Sequence, residues 1–415
     1  MTPQIKQRIE QIRRGQVPEG YKKTKGGIVP SAWASFSLGD IYAERKEVGI
    51  PSLPILTVSI HSGVSDGALD EDELGKKVKR IEDKTQYRTA RSGDVVFNMM
   101  RAWQGAIGVV RQDGLVSPAY IVATPNEAVY PPFMDYCLKT PRMINRLHRK
   151  SYGVTDFRLR LYWDSFASVG CALPPLDEQK KIAEILSAQD KLIALKEKLI
   201  EEKKRQKKAL MQQLLTGKKR LPGYSDEWKP TKLKKLLKER KTYSQKGLEY
   251  PHVTLSTEGI YAKTDRYDRE HLVKSEDKEY KITHKGDICY NPANLKFGVI
   301  CVNSFGDAIF SPIYVTFEVQ KGVELGFLSN YLMRWDFINA VRKYEEGTVY
   351  ERMAVKPEDF LKFEIKLPSI EEQKAISNVM QLCDLEIELL QKDLTYEKQR
   401  KKALMQLLLT GIVRV

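Results

Sequence analysis

Cysteines are few in this sequence, and long apolar runs are absent. Five cysteines are scattered over 415 residues without a C-x-x-C pair. This pattern argues against a disulfide framework or a zinc site and favours a reducing cytoplasm. No stretch reaches eighteen unbroken apolar residues, so no membrane-spanning helix is predicted. The opening residues, MTPQIKQRIEQIRRG, lack the apolar core of a signal peptide.

The sequence also lacks the motifs of the enzymes that modify DNA. There is no G-x-x-x-x-G-K-[ST] phosphate loop and no H-E-x-x-H zinc motif. An adenine methyltransferase needs a D/N-P-P-Y/F motif to position the flipped base. The nearest stretch, Asn291–Asn294, has neither the second proline nor the aromatic residue, and we interpret it as a turn after a strand. Asp94 and Asp287 occupy the same place in two similar segments and are interpreted as turn residues. No catalytic residue is therefore predicted.

What the chain has in excess is positive charge. Its 69 Lys and Arg residues outnumber 54 Asp and Glu, giving a formal net charge of +15. Apolar and charged fractions of 42% and 30% are those of a globular protein large enough for two or three domains. A surplus of this size favours a polyanionic partner, of which nucleic acid is the commonest.

An internal repeat with a constant offset of 194 residues organises the chain. KKALMQQLLTG (Lys207–Gly217) and KKALMQLLLTG (Lys401–Gly411) agree at ten of eleven positions. LPPLDEQKKI (Leu173–Ile182) matches LPSIEEQKAI (Leu367–Ile376) at the same offset. Because no residue is inserted or lost between these ends, the segment is predicted to be a rigid element of fixed length.

Helix start and stop signals identify this element as an α-helix. Ser369 and Glu372 have the S-x-x-E spacing of a capping box. The first copy opens with Asp177 and Glu178, acids that the positive end of a helix dipole favours. Both copies end at Thr-Gly, and glycine suits the left-handed position after a helix. Each helix is predicted to have about 40 residues and a length of roughly 60 Å.

Apolar residues follow one seam along each predicted helix. In the second copy they recur in steps of four and three, which is a heptad pattern. The aligned seam of the first copy is weaker because it contains Gln189 and Lys196. A long helix with one apolar seam needs a partner, and the other copy is the obvious one. The residues predicted to form this helix pair are Ile182, Leu186, Ile193, Ile200, Leu210, Ile376, Met380, Ile387, Leu390, Leu394 and Leu404.

The segments between the helices repeat more faintly. RSGDVVFNMM (Arg91–Met100) aligns with HKGDICYNPA (His284–Ala293), and LVSPAYIVAT (Leu115–Thr124) aligns with IFSPIYVTFE (Ile309–Glu318). Short β-branched and aromatic runs broken by Gly, Asp, Asn and Pro predict strands and turns. Helical spacing follows in residues 132–149 and 325–343. Each half is therefore predicted to be a mixed α/β domain followed by one long helix.

We expect an α+β fold with two mixed domains, related by a pseudo-two-fold axis and separated by two long antiparallel coiled-coil helices. The predicted boundaries are residues 1–170 for the first domain, 171–217 for the central helix, 218–366 for the second domain and 367–415 for the C-terminal helix. Two-fold proteins meet DNA at two half-sites. Domains that differ in sequence would read two different half-sites, whereas nearly identical helices would perform a common task.

The repeated motifs resemble those of a known family. L-P-P-L-x-E-Q-K-x-I-A, the long basic helix, A-L-M-Q-x-L-L-T-G and R-L-P-G-Y-x-x-x-W (Arg220–Trp228) are similar to the specificity (S) subunits of type I restriction-modification systems. The resemblance covers the whole chain. It implies a non-catalytic subunit that binds an interrupted site in double-stranded DNA through two target-recognition domains, with the helices as a ruler.

The resemblance also implies partners and cofactors. Two methyltransferase (M) subunits would dock on this chain and use S-adenosylmethionine to methylate adenine N6. Two restriction (R) subunits would add translocation and cleavage that depend on ATP and Mg²⁺. No cofactor is expected in the chain itself. The recognition domains depart from the family pattern, as those of any member do, so the target sequence stays open.

Candidate DNA contacts are polar, basic and aromatic residues in glycine-flanked loops at matched places in the two halves. Such side chains reach phosphates and base edges. For any one residue a structural role is the alternative: Trp103 and Tyr350 as core, Arg158 and Arg352 as structural arginines. The first domain contributes Asn98, Arg101, Trp103, Gln104, Thr155, Arg158 and Arg160. The second contributes Asn291, Asn294, Lys296, Thr348, Tyr350 and Arg352.

One other class of function stays open at this point. The chain could be an interaction scaffold, two α/β modules on a coiled coil, without nucleic acid. A scaffold needs neither a charge of +15 nor Arg- and Asn-rich loops at matched positions.

Overall fold

A computed structural model describes residues 2–24, 27–60, 63–65, 81–155, 158–245, 249–263, 279–345 and 354–415. The chain forms two compact units. Unit 1 consists of Met1–Lys196 and Asp393–Val415, and unit 2 consists of Glu197–Lys392. Each unit thus combines one sheet-rich domain with parts of both long helices.

Unit 1 begins with a short helix and continues through twelve named strands before the first long helix. Its elements in chain order are α1 Pro3–Arg13, β1 Tyr21–Thr24, β2 Gly27–Pro30, β3 Ala34–Ser37, α2 Leu38–Ile41, β4 Tyr42–Arg45, β5 Val58–Ser59, β6 Gly63–Val64, β7 Arg88–Ala90, β8 Val95–Asn98, β9 Ile107–Val109, β10 Gly114–Val116, β11 Tyr120–Pro125, α3 Pro131–Leu138, α4 Pro141–Lys150, α5 Trp163–Ala167, β12 Gly170–Leu173 and α6 Leu176–Leu214.

Unit 2 repeats most of this order. Its elements are β13 Lys229–Lys232, β14 Leu237–Glu239, β15 Tyr243–Gln245, β16 Val253–Ser256, β17 Gly259–Ala262, β18 Glu279–Thr283, β19 Ile288–Tyr290, β20 Ile300–Val302, β21 Ala308–Phe310, β22 Val315–Val319, α7 Leu325–Leu332, α8 Trp335–Val341, α9 Pro357–Lys362, β23 Glu364–Leu367 and α10 Ile370–Leu408.

A four-stranded antiparallel sheet lies at the centre of each unit. The strand order is β4-β11-β8-β9 in unit 1 and β14-β22-β19-β20 in unit 2. A pair closes each domain: β3 with β12 in unit 1, and β13 with β23 in unit 2. The faint repeats of the sequence therefore form corresponding strands, which confirms that the two halves share one plan.

Both faces of the central sheet are covered. Val95 and Phe97 pack in one apolar cluster of unit 1, and Val96 between them packs in the other. Ile288 and Tyr290 in unit 2 likewise lie on one side and Cys289 on the other. This double burial explains why β8 and β19 are unbroken apolar runs, since strands buried on both faces show no polar alternation.

The aspartates before β8 and β19 are buried turn residues, as interpreted from the sequence. Asp94 accepts hydrogen bonds from the Arg91 backbone N–H at 2.8 Å and from the Arg45 guanidinium at 2.7 Å. Asp287 repeats both contacts in unit 2, with the backbone N–H of His284 and the guanidinium of Arg240. The carboxylates thus hold the turn to an arginine at the end of the edge strand β4 or β14, which lies two strands away in the sheet.

The two long helices each have 39 residues and keep the offset of 194 along their whole length. A glycine with a left-handed backbone follows three residues after the end of each helix, Gly217 at φ +72° and Gly411 at φ +71°, in agreement with the predicted stop signal. The predicted capping box forms only in part. The Glu372 backbone N–H donates to Ser369 Oγ at 3.3 Å, but the Glu372 carboxylate binds other groups. Among the described residues, no helix is long and apolar enough to cross a membrane.

Candidate nucleic-acid interface

The first predicted loop of unit 1 follows β8 and returns into β9. Asn98 Oδ1 accepts a hydrogen bond from the Met100 backbone N–H at 2.9 Å, which tightens the chain into a single 3-10 turn at Ala102–Gln104. Gly105, at φ +104°, reverses the chain after this turn. Arg101 and Gln104 are exposed. This loop therefore presents two of its predicted contact residues to solvent on a braced backbone.

Trp103 supports this loop through contacts within the protein. It is half-buried, its Nε1 donates to the Met100 carbonyl at 3.0 Å, and its ring lies 5.5 Å from the His148 ring on α4. The indole N–H is therefore already used within the protein. This placement supports the loop and leaves only part of the ring accessible.

The second predicted loop of unit 1 is a hairpin. Tyr152 and Arg160 exchange backbone hydrogen bonds of 3.1 and 2.9 Å. A Cβ at Gly153 would lie 2.3 Å from the Arg158 carbonyl oxygen, so only glycine fits this close approach. Thr155, Arg158 and Arg160 are all exposed.

One backbone hydrogen bond joins the two loops. The Leu161 N–H donates to the Met99 carbonyl at 2.9 Å. Loops separated by about fifty residues in sequence thus lie next to each other, and their exposed residues include Arg101, Gln104, Arg158 and Arg160. The matched loops predicted from the sequence are brought together in this unit.

The corresponding loop of unit 2 has the same construction. Asn291 Oδ1 accepts from the backbone N–H groups of Ala293 and Asn294 at 3.1 and 3.3 Å. The Val355 N–H donates to the Pro292 carbonyl at 3.3 Å, at the place of the Leu161–Met99 bond. Asn291 is 6% exposed, and Asn294 is exposed. The side chain of Asn291 thus holds the turn, as Asn98 does.

Lys296 is half-buried, and its Nζ lies 5.4 Å from the centroid of the Phe297 ring. The remaining predicted contacts of unit 2, Thr348, Tyr350 and Arg352, lie outside the described residues. The assignment of individual DNA contacts in both loops stays a prediction.

Exposed apolar residues border these loops and were not predicted. Phe297 is 63% exposed beside Lys296, and Tyr152 and Val154 are exposed on the hairpin of unit 1. Apolar contacts read the thymine methyl group, and aromatic rings stack on bases. Phe297 precedes the apolar run of β20, and no signal in the sequence distinguished it from a buried aromatic residue.

The repeated E-Q motif connects the start of each long helix to its domain. Glu372 accepts from Arg220 Nε and Nη2 at 2.6 and 2.7 Å and from Trp228 Nε1 at 3.1 Å in unit 2. Glu178 accepts from Arg414 in unit 1. The arginine follows the end of the other long helix in both cases. The motif thus ties the beginning of one helix to the tail of the other.

The glutamine of the motif attaches a loop of the domain to the start of the long helix. Gln179 Nε2 donates to the carbonyls of Ala128 and Pro174, and its Oε1 accepts from the Tyr130 N–H at 2.9 Å. Gln373 repeats this arrangement in unit 2, where it donates to Pro368 and accepts from the Glu324 N–H at 2.8 Å. The loop before α3 or α7 is thereby attached to the helix start.

The nearly identical helix endings fill equivalent places in the two units. Leu408 packs with Ile182 and Leu186 in the main cluster of unit 1, with Leu404 and Leu409 beside it. In unit 2, Leu214 and Leu215 pack with Ile376, Met380 and Trp228, with Leu210 beside them. Each ending completes the core at the start of the other helix, which explains why the same sequence occurs twice.

The helices are antiparallel within each unit, as predicted. Lys196 pairs with Asp393 and Asp190 with Lys401 in unit 1, so the pairing runs in opposite directions along the two helices. Lys203–Glu386 and Lys207–Asp384 follow the same rule in unit 2.

The two polar residues of the weaker seam have acidic partners. Gln189 Nε2 donates to Glu397 Oε2 at 2.7 Å, and both residues are buried. Lys196 pairs with Asp393 across the helices. Since a buried polar group must be satisfied, these pairs fix the register of α6 against α10.

The predicted seam residues lie on the buried or half-buried stripe of each helix. Ile182, Leu186, Ile200, Ile376 and Met380 are fully buried. The half-buried members are Ile193, Leu210, Ile387, Leu390, Leu394 and Leu404.

Replacing both Ile387 and Leu394 with Asp is expected to destabilise the chain by about 2–5 kcal/mol, because each change puts an unpaired carboxylate into a partly apolar contact. Urea unfolding followed by circular dichroism measures this loss. The matched control replaces Leu389 and Tyr396 with Asp as well. These residues are 55% and 62% exposed on the same helix. Equal destabilisation by the control would contradict a helix–helix contact along the seam.

Comparison with known proteins gives a consistent result. Residues 30–205 match the model of the type I restriction modification DNA specificity domain. Two curated relatives from Methanocaldococcus jannaschii are the type I restriction enzyme specificity subunits MjaX, 26% identical over 96% of this chain and 97% of its own, and MjaVIII, 24% identical over 96% of each. The crystal structure of the HsdS subunit from Thermoanaerobacter tengcongensis has a TM-score of 0.52 at 19% identity and covers 93% of this chain and 98% of its own, which shows a shared fold.

Proposed function

Because the chain belongs to the family of specificity subunits of type I restriction-modification systems, we propose that it reads an interrupted DNA site, with one half-site for each unit. It selects the sequence on which other subunits act. The family does not favour the alternative of an interaction scaffold without nucleic acid.

The observation that carries this proposal is the matched pair of loop junctions. Leu161–Met99 in unit 1 and Val355–Pro292 in unit 2 hold the segment after β8 or β19 against the segment before α5 or α9. The two junctions have the same backbone hydrogen bond, but different side chains surround it. One scaffold with two sets of exposed groups suits the reading of two unlike half-sites, because base-edge contacts carry the sequence information.

The helix pair has the complementary role in the proposal. Its two copies are nearly identical and have equal lengths, so they suit a task common to both halves. We assign to them the setting of the unread spacer and the docking of two methyltransferase subunits. S-adenosylmethionine belongs to those subunits, and ATP and Mg²⁺ belong to two restriction subunits. The complex acts on DNA in the cytoplasm.

The purified chain alone is expected to transfer no methyl groups and to cut no DNA, since it carries none of the motifs that these reactions need. With its methyltransferase subunits it should direct adenine methylation to one bipartite sequence. Mapping of methyladenine in cells with and without the gene measures this directly. Methyl transfer by the chain without a second polypeptide, or an unchanged methylation pattern after deletion of the gene, would contradict the proposal.

A further inference from the structure

The helix α4 of unit 1 has an unusually basic outer surface. Met143 and Leu147 face the core and are buried. The remaining positions include Arg142, Arg146, Arg149 and Lys150, which place four cations within ten residues. None of this charge was singled out in the sequence, where the segment looked like an ordinary amphipathic helix.

Acidic partners are missing for most of these cations. In the described part of the chain, no carboxylate pairs with Arg142, Arg149 or Lys150, which are exposed. Part of the Arg142 side chain is nonetheless removed from water, and this desolvation together with the neighbouring Arg146 lowers the pKa of Arg142. Arg146 Nη1 donates to the Gly170 carbonyl at 2.7 Å, which holds its guanidinium at the end of β12.

A groove runs beside the C-terminal half of α4 between this helix and the β3–β12 pair. Its floor and rim carry three of the four cations and the hydroxyl groups of serine and threonine. The nearby carboxylate of Asp40 accepts a hydrogen bond from the Ser37 N–H at 2.6 Å and so is held by the backbone. The polar residues that line the groove are Thr24, Ser35, Ser37, Arg146, Arg149, Lys150 and Ser168.

Cations with serine and threonine hydroxyls are the groups that bind DNA phosphates. The hairpin that presents Arg158 and Arg160 begins at the residue after α4, and His148 on α4 lies against Trp103 of the other loop. The groove is therefore continuous with the surface proposed to read bases.

The corresponding segment of unit 2, residues 335–344, carries two cations, Arg342 and Lys343, where residues 141–150 carry four, and Lys343 stands at the position of Arg149. At the offset of the repeat, Asp336 stands in place of Arg142 and Ala340 in place of Arg146. Asp336 pairs with Arg334, which is buried and donates to the Leu215 carbonyl at 3.0 Å. The helix α8 is thus tied into its own unit by a neutralised pair at the position where α4 has Arg142.

We infer that α4 and its groove bind consecutive backbone phosphates of duplex DNA next to the half-site that unit 1 reads, and that the less basic segment at residues 335–344 of unit 2 makes fewer such contacts. This inference rests on the proposed function. It assigns to unit 1 the larger share of the affinity that does not depend on sequence, because phosphate contacts position a protein on DNA without specifying bases.

The test is the salt dependence of DNA binding by the full-length chain, with duplexes that contain the mapped site and duplexes of scrambled sequence. The variant R142A/R149A/K150A should lower the magnitude of the slope of log K against log salt by about 2–3, because each phosphate contact contributes about 0.9. Both duplexes should lose affinity by the same factor. The double variant R149A/K150A should lower the slope by about 2 and leaves Arg142 in its contact with the Gly27 backbone.

The matched control is K234A/K235A/K238A, which removes the same net charge from exposed positions of unit 2. An equal fall in the slope for the control would overturn the inference, because net charge would then explain the effect. An unchanged slope for both α4 variants, or loss of affinity for the mapped site alone, would overturn it as well. A wild-type chain that does not prefer the mapped site would instead contradict the proposed function.

Discussion

A chain whose residues 38–169 come from another specificity subunit is expected to direct methylation to a site with one half changed. The other half and the spacer should stay the same. The segment between β3 and β12 contains both loops of unit 1 that we propose to read DNA, whereas β3 and β12 pair with each other and close the domain. Cutting inside this closed pair keeps Trp33 in its place against Gly411 at the helix end.

Methylation of the original site should fall by about a hundredfold or more, because each altered base pair costs about 1–3 kcal/mol. Sequencing of methyladenine in cells that carry the hybrid and the native methyltransferase subunits provides the measurement. The reciprocal exchange of the segment between β13 and β23 serves as the control and should change the other half-site. A hybrid that alters both half-sites, or only the spacer, would show that the reading surfaces lie elsewhere.

Glu372→Ala is expected to reduce the stability of unit 2 by about 3–5 kcal/mol. The carboxylate is 1% exposed and accepts three hydrogen bonds, two from Arg220 and one from Trp228. Its removal leaves a guanidinium and a buried indole N–H without a partner, which costs more than the net contribution of the pair.

Glu178→Ala in unit 1 is the matched comparison. Glu178 also binds an arginine, but the Trp33 N–H has no partner there and the Arg414 side chain is 40% exposed. We therefore expect a smaller loss, about 1–3 kcal/mol. Hydrogen exchange measures the stability of each unit separately. The control is Glu388→Ala, which removes an exposed pair with Lys392 and should change stability by less than about 0.5 kcal/mol. Equal losses for Glu372 and Glu178 would show that the Trp228 bond contributes nothing.

The elements that could be predicted from the sequence are those specified by local chemistry. The extents of both long helices could be predicted from the apolar spacing and the terminal glycine, because these signals depend on neighbours within a few residues. The matched strands were also evident, because β8 and β19 keep their turn aspartates and apolar runs.

The partner of the motif glutamate could not be predicted. Glu178 and Glu372 follow prolines at a helix start, so their acids were attributed to the dipole and to a capping box. The actual partners are arginines beyond the end of the other helix, 236 and 152 residues away. The predicted antiparallel pairing brought each tail near the start of the other helix, but no local pattern marked Arg220 or Arg414 as the partner of a particular glutamate.

Side-chain direction in the loops was equally inaccessible. Asn98 and Asn291 were selected as polar loop residues, yet both side chains accept hydrogen bonds from backbone groups of their own turns. The spacing of a residue within a loop does not say whether its amide serves the turn or a ligand. The basic groove was missed for a related reason: it joins α4 to β3, more than a hundred residues earlier, and to β12, about twenty residues later.

The interleaving of the two halves has a consequence for synthesis. Unit 2 is one continuous segment and can fold as soon as residue 392 has left the ribosome. Unit 1 cannot close its main core until Leu404, Leu408 and Val413 are made, because these residues cover the apolar surface around Ile182 and Leu186. The domain translated first is therefore completed last. Until then its uncovered helix is a target for chaperones and for aggregation. A ribosome that stops early releases a chain in which unit 2 is complete and unit 1 is not.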